Sequence, residues 1–93
     1  MKISLTAHLL KQLKLVKKRG LNLTLIDDAV SAIIEEDHKT LKAMCDHPLT
    51  GRYKKQRELH LTSDWLLRYQ IVGNHVELLL LATGTHRDVL NIE

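Results

Sequence analysis

Six histidines occur among 93 residues. Four of them, His47, His60, His75 and His86, lie in the second half of the chain. Imidazole is the side chain whose ordinary pKa lies nearest neutrality, so each is a candidate to give or take a proton. His60 alternates with Leu59 and Leu61, which places it on the non-core side of a strand. Asp64 follows four residues later at a Ser63-Asp64 turn, within reach of the same side. His47 precedes Pro48, which restricts it to extended backbone. His86 follows Thr83-Gly84-Thr85 at the exit of the last strand. Imidazoles and a carboxylate gathered on a cationic surface suit metal-free cleavage of RNA. One group takes the proton of a 2′-OH and the hydroxyl attacks the adjacent phosphate. Another group protonates the leaving 5′-oxygen, and a cation offsets charge on the phosphorane.

Plainer readings stand beside this one. A single histidine on a strand is more often an ordinary surface residue than a catalyst. His75 reads as a turn residue beside Gly73-Asn74, and His8 and His38 as helix-surface residues. Trp65 reads first as core or pocket wall and second as a platform for a base. Zinc binding by His47, His60, Asp64 and His86 is chemically feasible. No CxxC, HxxxH or HExxH spacing supports it, so no metal and no cofactor is expected. There is no glycine-rich phosphate loop and no GxSxG elbow. Cys45, next to Asp46, carries no sign of activation and reads as inert.

The elements that must position these residues follow from periodicity. Ile3 and Leu5 alternate with polar neighbours, so Lys2–Leu5 reads as a short strand. Thr6 is placed to cap a helix whose Leu9, Leu10, Leu13 and Val16 form a buried stripe. Lys17, Lys18 and Arg19 fall in its last turn, where the helix dipole favours cations, and Gly20 suits the position just past it. A second helix starts near Asn22 or Thr24, with Leu23, Ile26, Val30, Ile33 and Ile34 as its stripe. The two should form a hairpin. Residues 37–52 are ambiguous: Leu41 and Met44 fit a short helix, and Pro48 and Gly51 enforce a loop. From Tyr53 the period becomes two. Turns at Ser63-Asp64 and Gly73-Asn74 divide the remainder into three antiparallel strands. The last is nearly apolar and is expected near the middle of the sheet. The expected fold is α+β with order β-α-α-β-β-β. An antiparallel sheet packs one face on the N-terminal helix hairpin and leaves the other free to carry function.

Length and composition bound the rest. At this size one domain is expected over residues 1–93, with about 60–65% of the unfolded chain's surface buried on folding. That leaves room for a core but favours an open cleft over a deep pocket. Apolar residues make up 44% and charged residues 27%, which argues against disorder. The longest apolar run, Leu78–Ala82, is far short of a membrane span, so no membrane partner is expected. No secretory signal is read at the N-terminus. One cysteine excludes an internal disulfide and fits a reducing, cytoplasmic setting. The net charge of +3 hides segregation. Residues 1–20 carry six cations and no acid, whereas residues 21–50 carry six acids and two cations. Residues 51–72 turn basic again through Arg52, Lys54, Lys55, Arg57 and Arg68, against Glu58 and Asp64. Two basic segments around an acidic one point to a face that attracts polyanions.

Several stretches taken together resemble a known family. They are Asp46-His47-Pro48-Leu49-Thr50-Gly51, Tyr53-Lys54, Arg57-Glu58-Leu59-His60, Asp64-Trp65-Leu66-Leu67-Arg68-Tyr69 and Thr83-Gly84-Thr85-His86. The resemblance is to the YafQ branch of the RelE/ParE toxin superfamily, in detail over residues 46–90 and in pattern only before them. It implies a RelE-like fold and the toxin of a type II toxin–antitoxin pair, an endoribonuclease that cuts mRNA on the translating ribosome. It also implies a cognate antitoxin of ribbon-helix-helix type. By matching position, His47, His60, Asp64 and His86 would be catalytic, with His86 the general acid and Asp64 or His60 the base. Lys54 and Arg57 would contact RNA phosphates, with Trp65 supporting the site on the RNA side. Two departures stand out. The family's arginine before Thr-Gly-x-His is Ala82 here, and its aromatic residue after the last histidine is Leu90. The resemblance therefore implies either a weakened enzyme or replacement of that arginine by Arg68 or Arg87.

Two non-enzymatic readings remain. ParE relatives inhibit gyrase by binding, and a decayed toxin could survive as an antitoxin-binding partner alone. The six cations of residues 1–20 would then be the working surface. A general nucleic-acid-binding module is weakened by the absence of phenylalanine and by only three aromatic rings, since stacking needs rings.

Overall fold

The computed structural model describes residues 2–73 and 77–85. In chain order the elements are β1 (Lys2–Leu5), α1 (Ala7–Lys18), α2 (Thr24–Ile34), α3 (His38–Ala43) and β2 (His47–Pro48). A 3₁₀ turn at Gly51–Tyr53 follows, then β3 (Arg57–His60), β4 (Leu66–Val72) and β5 (Glu77–Gly84). The strands form one sheet in the order β1-β5-β4-β3-β2. β3, β4 and β5 are the expected antiparallel meander, and the apolar β5 sits inside the sheet. α3 occupies the first part of the ambiguous stretch. His47, expected in a loop, lies instead on the short edge strand β2. The sheet is mixed rather than wholly antiparallel, because β1 pairs with β5 in parallel, Lys2 opposite Glu77. A tight turn dictates the direction of each meander strand. No such turn links the first strand to the last, so the direction of β1 depends on the path through three helices.

Local chemistry explains the helix ends. Thr6 caps α1: its hydroxyl oxygen accepts from the Leu9 N–H at 3.1 Å, and its O–H donates to the Leu81 carbonyl at 2.9 Å. The chain therefore enters α1 already tied to β5. Leu9 and Val16 are buried as expected, but Leu10 is exposed. Gln12 takes the inner row instead, where its Oε1 accepts the Thr83 N–H at 2.7 Å. A buried strand amide needs an acceptor, and a glutamine on the facing helix supplies one. Gly20, at φ +78°, turns the chain away from α1. α2 has no side-chain cap of its own; Asn22 Oδ1 ties down the preceding turn by accepting from the Thr24 amide and hydroxyl. Asp37 caps α3 through the Thr40 amide and hydroxyl, at 3.2 and 2.7 Å.

The two faces of the sheet differ. Leu59, Leu67, Tyr69, Leu78 and Leu80 turn toward the helices and pack with Leu9, Ala29, Ala32, Ile33 and Leu41. Leu66 and Ala82 form a small separate cluster. The register breaks between these sets: Tyr69 pairs with Leu80, but Arg68 pairs with Ala82. Leu81 is the extra residue of a β-bulge. Without it Leu80 and Ala82 would share a face. With it, Leu80 joins the helix side and Ala82 the other.

Candidate active site

A cross-strand row runs over the face opposite α1, α2 and α3. His47 on β2 is opposite Glu58 on β3, Glu58 is opposite Arg68 on β4, and Arg68 is opposite Ala82 on β5. Directly opposed residues in antiparallel strands hold their Cβ atoms about 4.5–5.5 Å apart, so the row is a line of touching neighbours. His60 lies two residues beyond Glu58 on the same face, opposite Leu66. The His47 and His60 rings are 6.5 Å apart between centroids and tilted by 45°.

The route into β2 explains how His47 reaches this face. α3 ends at Ala43, and Cys45 takes a left-handed backbone conformation at φ +57°. The following residues turn into extended backbone, where Pro48 holds them. His60 clamps the turn from the other side, its N–H donating to the Met44 carbonyl at 2.7 Å. The His47 ring stands half exposed with Nδ1 2.8 Å from the Cys45 carbonyl. A carbonyl only accepts, so Nδ1 carries the proton. Nε2 faces Glu58 Oε1 at 3.5 Å. The Glu58 side chain is only 1% exposed, a carboxylate held below an open histidine.

Arg68 lies further along the row. Its guanidinium carbon sits 4.4 Å from the centre of the Tyr53 ring, a cation–π stack, and Arg52 approaches the same ring at 5.3 Å. Tyr53 is delivered by the 3₁₀ turn, whose Gly51 has φ +65°. Lys54 follows in an exposed position. Asp64 stands exposed on the turn that leaves the His60 end of β3, where the Leu61 and Thr62 amides both donate to the Trp65 carbonyl.

Trp65 and Arg57 are placed by the structure away from this row. Trp65 is only 2% exposed, so its ring offers no surface for stacking on RNA. Its Nε1–H donates to Thr83 Oγ1 at 2.8 Å, and that hydroxyl donates to the Leu66 carbonyl at 2.8 Å. Trp65 thus stitches the start of β4 to the end of β5 from below. Arg57 is on the helix side, since it alternates with Glu58 and His60. Its Nε and Nη2 donate to Asp46 Oδ2 at 3.1 and 2.8 Å, and the Tyr69 hydroxyl donates to Asp46 Oδ1 at 2.5 Å. The bond to Asp46 raises the Arg57 pKa, so the guanidinium stays charged. Burial first, then the Asp46 carboxylate, pushes the Tyr69 phenol well above its ordinary range. This network secures the residue just before His47.

The described residues thus bring together His47, His60 and Arg68, with Asp64 on the adjoining turn. His86 and Arg87 lie outside the described residues. Glu58 went unrecognised at the sequence level; its signal was a place two residues from His60, on the same face. Among the described residues no group of three His, Cys, Asp or Glu side chains is arranged to hold a metal ion.

Comparison with known proteins decides the family. Residues 1–91 match the family described as a bacterial toxin of type II toxin–antitoxin systems, YafQ. The chain belongs to the YafQ family. A curated YafQ of Escherichia coli strain K12, named an mRNA interferase toxin, is 29% identical over 76 residues, 82% of this chain and 80% of that protein. The crystal structure of YafQ from E. coli BL21(DE3) superposes with a TM-score of 0.80 at 26% identity, covering 91% of this chain and 92% of that one. The E. coli DinJ–YafQ toxin–antitoxin complex matches with a TM-score of 0.79 at 28% identity, covering 91% of each chain. The α+β arrangement described above is therefore that of YafQ toxins.

Proposed function

We propose that the sheet face opposite the three helices is the active centre of a ribosome-dependent endoribonuclease that cleaves mRNA without a metal. The observation that carries this reading is the pairing of His47 and His60 over a buried Glu58, with Arg68 in the same cross-strand row. The family and the name of the E. coli relative support the substrate class. Asp64 or His60 takes the 2′-OH proton, and the 2′-oxygen attacks the adjacent phosphorus. His86 returns a proton to the departing 5′-oxygen. The products are a 2′,3′-cyclic phosphate and a 5′-hydroxyl. His47, with Nδ1 anchored, turns its Nε2 edge toward Glu58 and the cleft, where it carries or relays a proton. Each proton transfer is worth roughly 10²–10⁴-fold in rate. Lys54 and Arg87 hold flanking phosphates. The protein acts in the cytoplasm, where translating ribosomes and mRNA are found, and a cognate antitoxin, of ribbon-helix-helix type, restrains it. The DinJ–YafQ complex supports that partnership.

The test is cleavage of mRNA on stalled ribosomes by purified protein. The wild type is expected to give cuts ending in 2′,3′-cyclic phosphate, and His86→Ala to lower the rate at least about 10²-fold. Equal cutting by the two proteins removes His86 from the mechanism. No cutting by the wild type, with arrest of replication rather than translation in cells, would turn the assignment toward gyrase inhibition.

A further inference from the structure

We infer that Arg68 supplies, from the neighbouring strand, the phosphate-neutralising cation that position 82 lacks. The inference rests on the nuclease reading above and deepens it. Arg68 and Ala82 are direct cross-strand partners, and the bulge at Leu81 is what brings Ala82 to Arg68's side of the sheet. Ala82 is fully buried beside Leu66 and presents only a methyl group. A cation on β4 at this register therefore serves the same part of the cleft as one on β5 would.

Three observations make Arg68 the candidate. It stands in the row that begins at His47, so a phosphate placed between the imidazoles and β5 lies beside it. The Tyr53 ring lies 4.4 Å from its guanidinium carbon, a cation–π contact that restrains the side chain and keeps its charge beside the row. Its Nε and Nη1 are shielded from solvent, and among the described residues neither has a hydrogen-bond acceptor. The two donors lie on opposite edges of the guanidinium, so a phosphoryl oxygen meets one of them at a time and would satisfy a donor that now has no acceptor. Arg57, the other cation of these strands, is on the far side and held by Asp46. In the reaction, the Arg68 guanidinium donates to a non-bridging oxygen as the 2′-oxygen bonds to phosphorus and the 5′-oxygen leaves. No proton is transferred to or from the guanidinium.

The experiment compares kcat and KM for ribosome-bound mRNA among wild type, Arg68→Ala, Arg68→Gln and Arg68→Lys, with thermal melting to match the folded fraction. His60→Ala reports on the nuclease reading itself. Arg68→Ala and Arg68→Gln are expected to lose about 10²–10³-fold in kcat with KM changed less than about tenfold, the signature of a group used in the transition state. Arg68→Lys recovers part of the loss, which a packing role alone would not produce. Added guanidinium ion also restores activity to Arg68→Ala. Cutting by folded Arg68→Gln within threefold of wild type overturns the inference while leaving the nuclease intact. If no protein cuts, the nuclease reading fails, and titration with inorganic phosphate decides about Arg68. Movement of its Nε–H resonance in NMR spectra retains it as the phosphate ligand, and no movement overturns it.

Discussion

The two faces of this sheet are made from the same strands, residue by residue in alternation, and do opposite work. The helix face carries Leu59, Leu67 and Tyr69 and is sealed by α1, α2 and α3. The other face carries His60 and Arg68, both partly exposed, around the buried Glu58, Leu66 and Ala82. On the sealed face, close packing with no gap decides stability. On the open face, polar side chains are held near each other at a cost in burial and are available for chemistry. Stability and the proposed chemistry are thus divided by strand parity rather than by distance along the chain.

That division is easiest to break at the core. Leu67→Ala, a fully buried position on the sealed face, should cost about 2–5 kcal/mol in urea unfolding through lost burial and the cavity left behind. His60→Ala, one strand away on the open face, should cost less than about 1 kcal/mol while removing most cleavage. A large stability loss at His60 together with intact cleavage would reverse the assignment of the faces.

Asp46 is where the faces are joined. Asp46→Ala leaves the Arg57 and Tyr69 donors without their acceptor, a loss of about 1–3 kcal/mol. It also frees the residue that precedes His47, so cleavage should fall as well, although Asp46 is on the sealed side. Tyr69 adds a pH signature. Its folded pKa is raised, so its contribution is complete below the unfolded phenol value of about 10 and is lost as pH rises toward the folded value. Wild type should therefore lose stability above about pH 10 more steeply than Tyr69→Phe, as followed by alkaline denaturation curves.

The smallest effect is remote from both faces. The Thr40 hydroxyl and amide hold the Asp37 carboxyl below the ordinary aspartate range. That stabilisation is present above the unfolded pKa and disappears as pH falls through the lower folded value. The stability difference between wild type and Asp37→Ala should shrink on acidification below about pH 4. Cleavage near neutral pH should not change.

Much of this was legible from residue order. The Thr6 cap, the Leu9–Val16 row, the three meander strands and the placement of His60 opposite Leu59 follow from periods of 3.6 and 2. The same parity puts Trp65 with Leu67, in agreement with its first reading as core or pocket wall, and Arg57 with Leu59, where Asp46 holds its guanidinium. Other features had no local signal. The parallel pairing of β1 depends on a long crossover. The bulge at Leu81 resets the alternation inside a run of leucines, where both phases look equally apolar, and only the register with β4 reveals that Ala82 faces Arg68. The exposure of Leu10 and the burial of Gln12 depend on one orphan amide at Thr83.

The central claim is that the open face, and not the basic N-terminal helix, performs the cleavage. The most direct measurement is the single-turnover rate of mRNA cutting on ribosomes for His60→Ala beside Lys14→Ala/Lys17→Ala, each at matched folded fraction. The account predicts a loss of at least about 10²-fold for the histidine variant and a change confined to binding for the lysine variant. A histidine variant that cuts like wild type, with the lysine variant inactive at saturating protein, would contradict it.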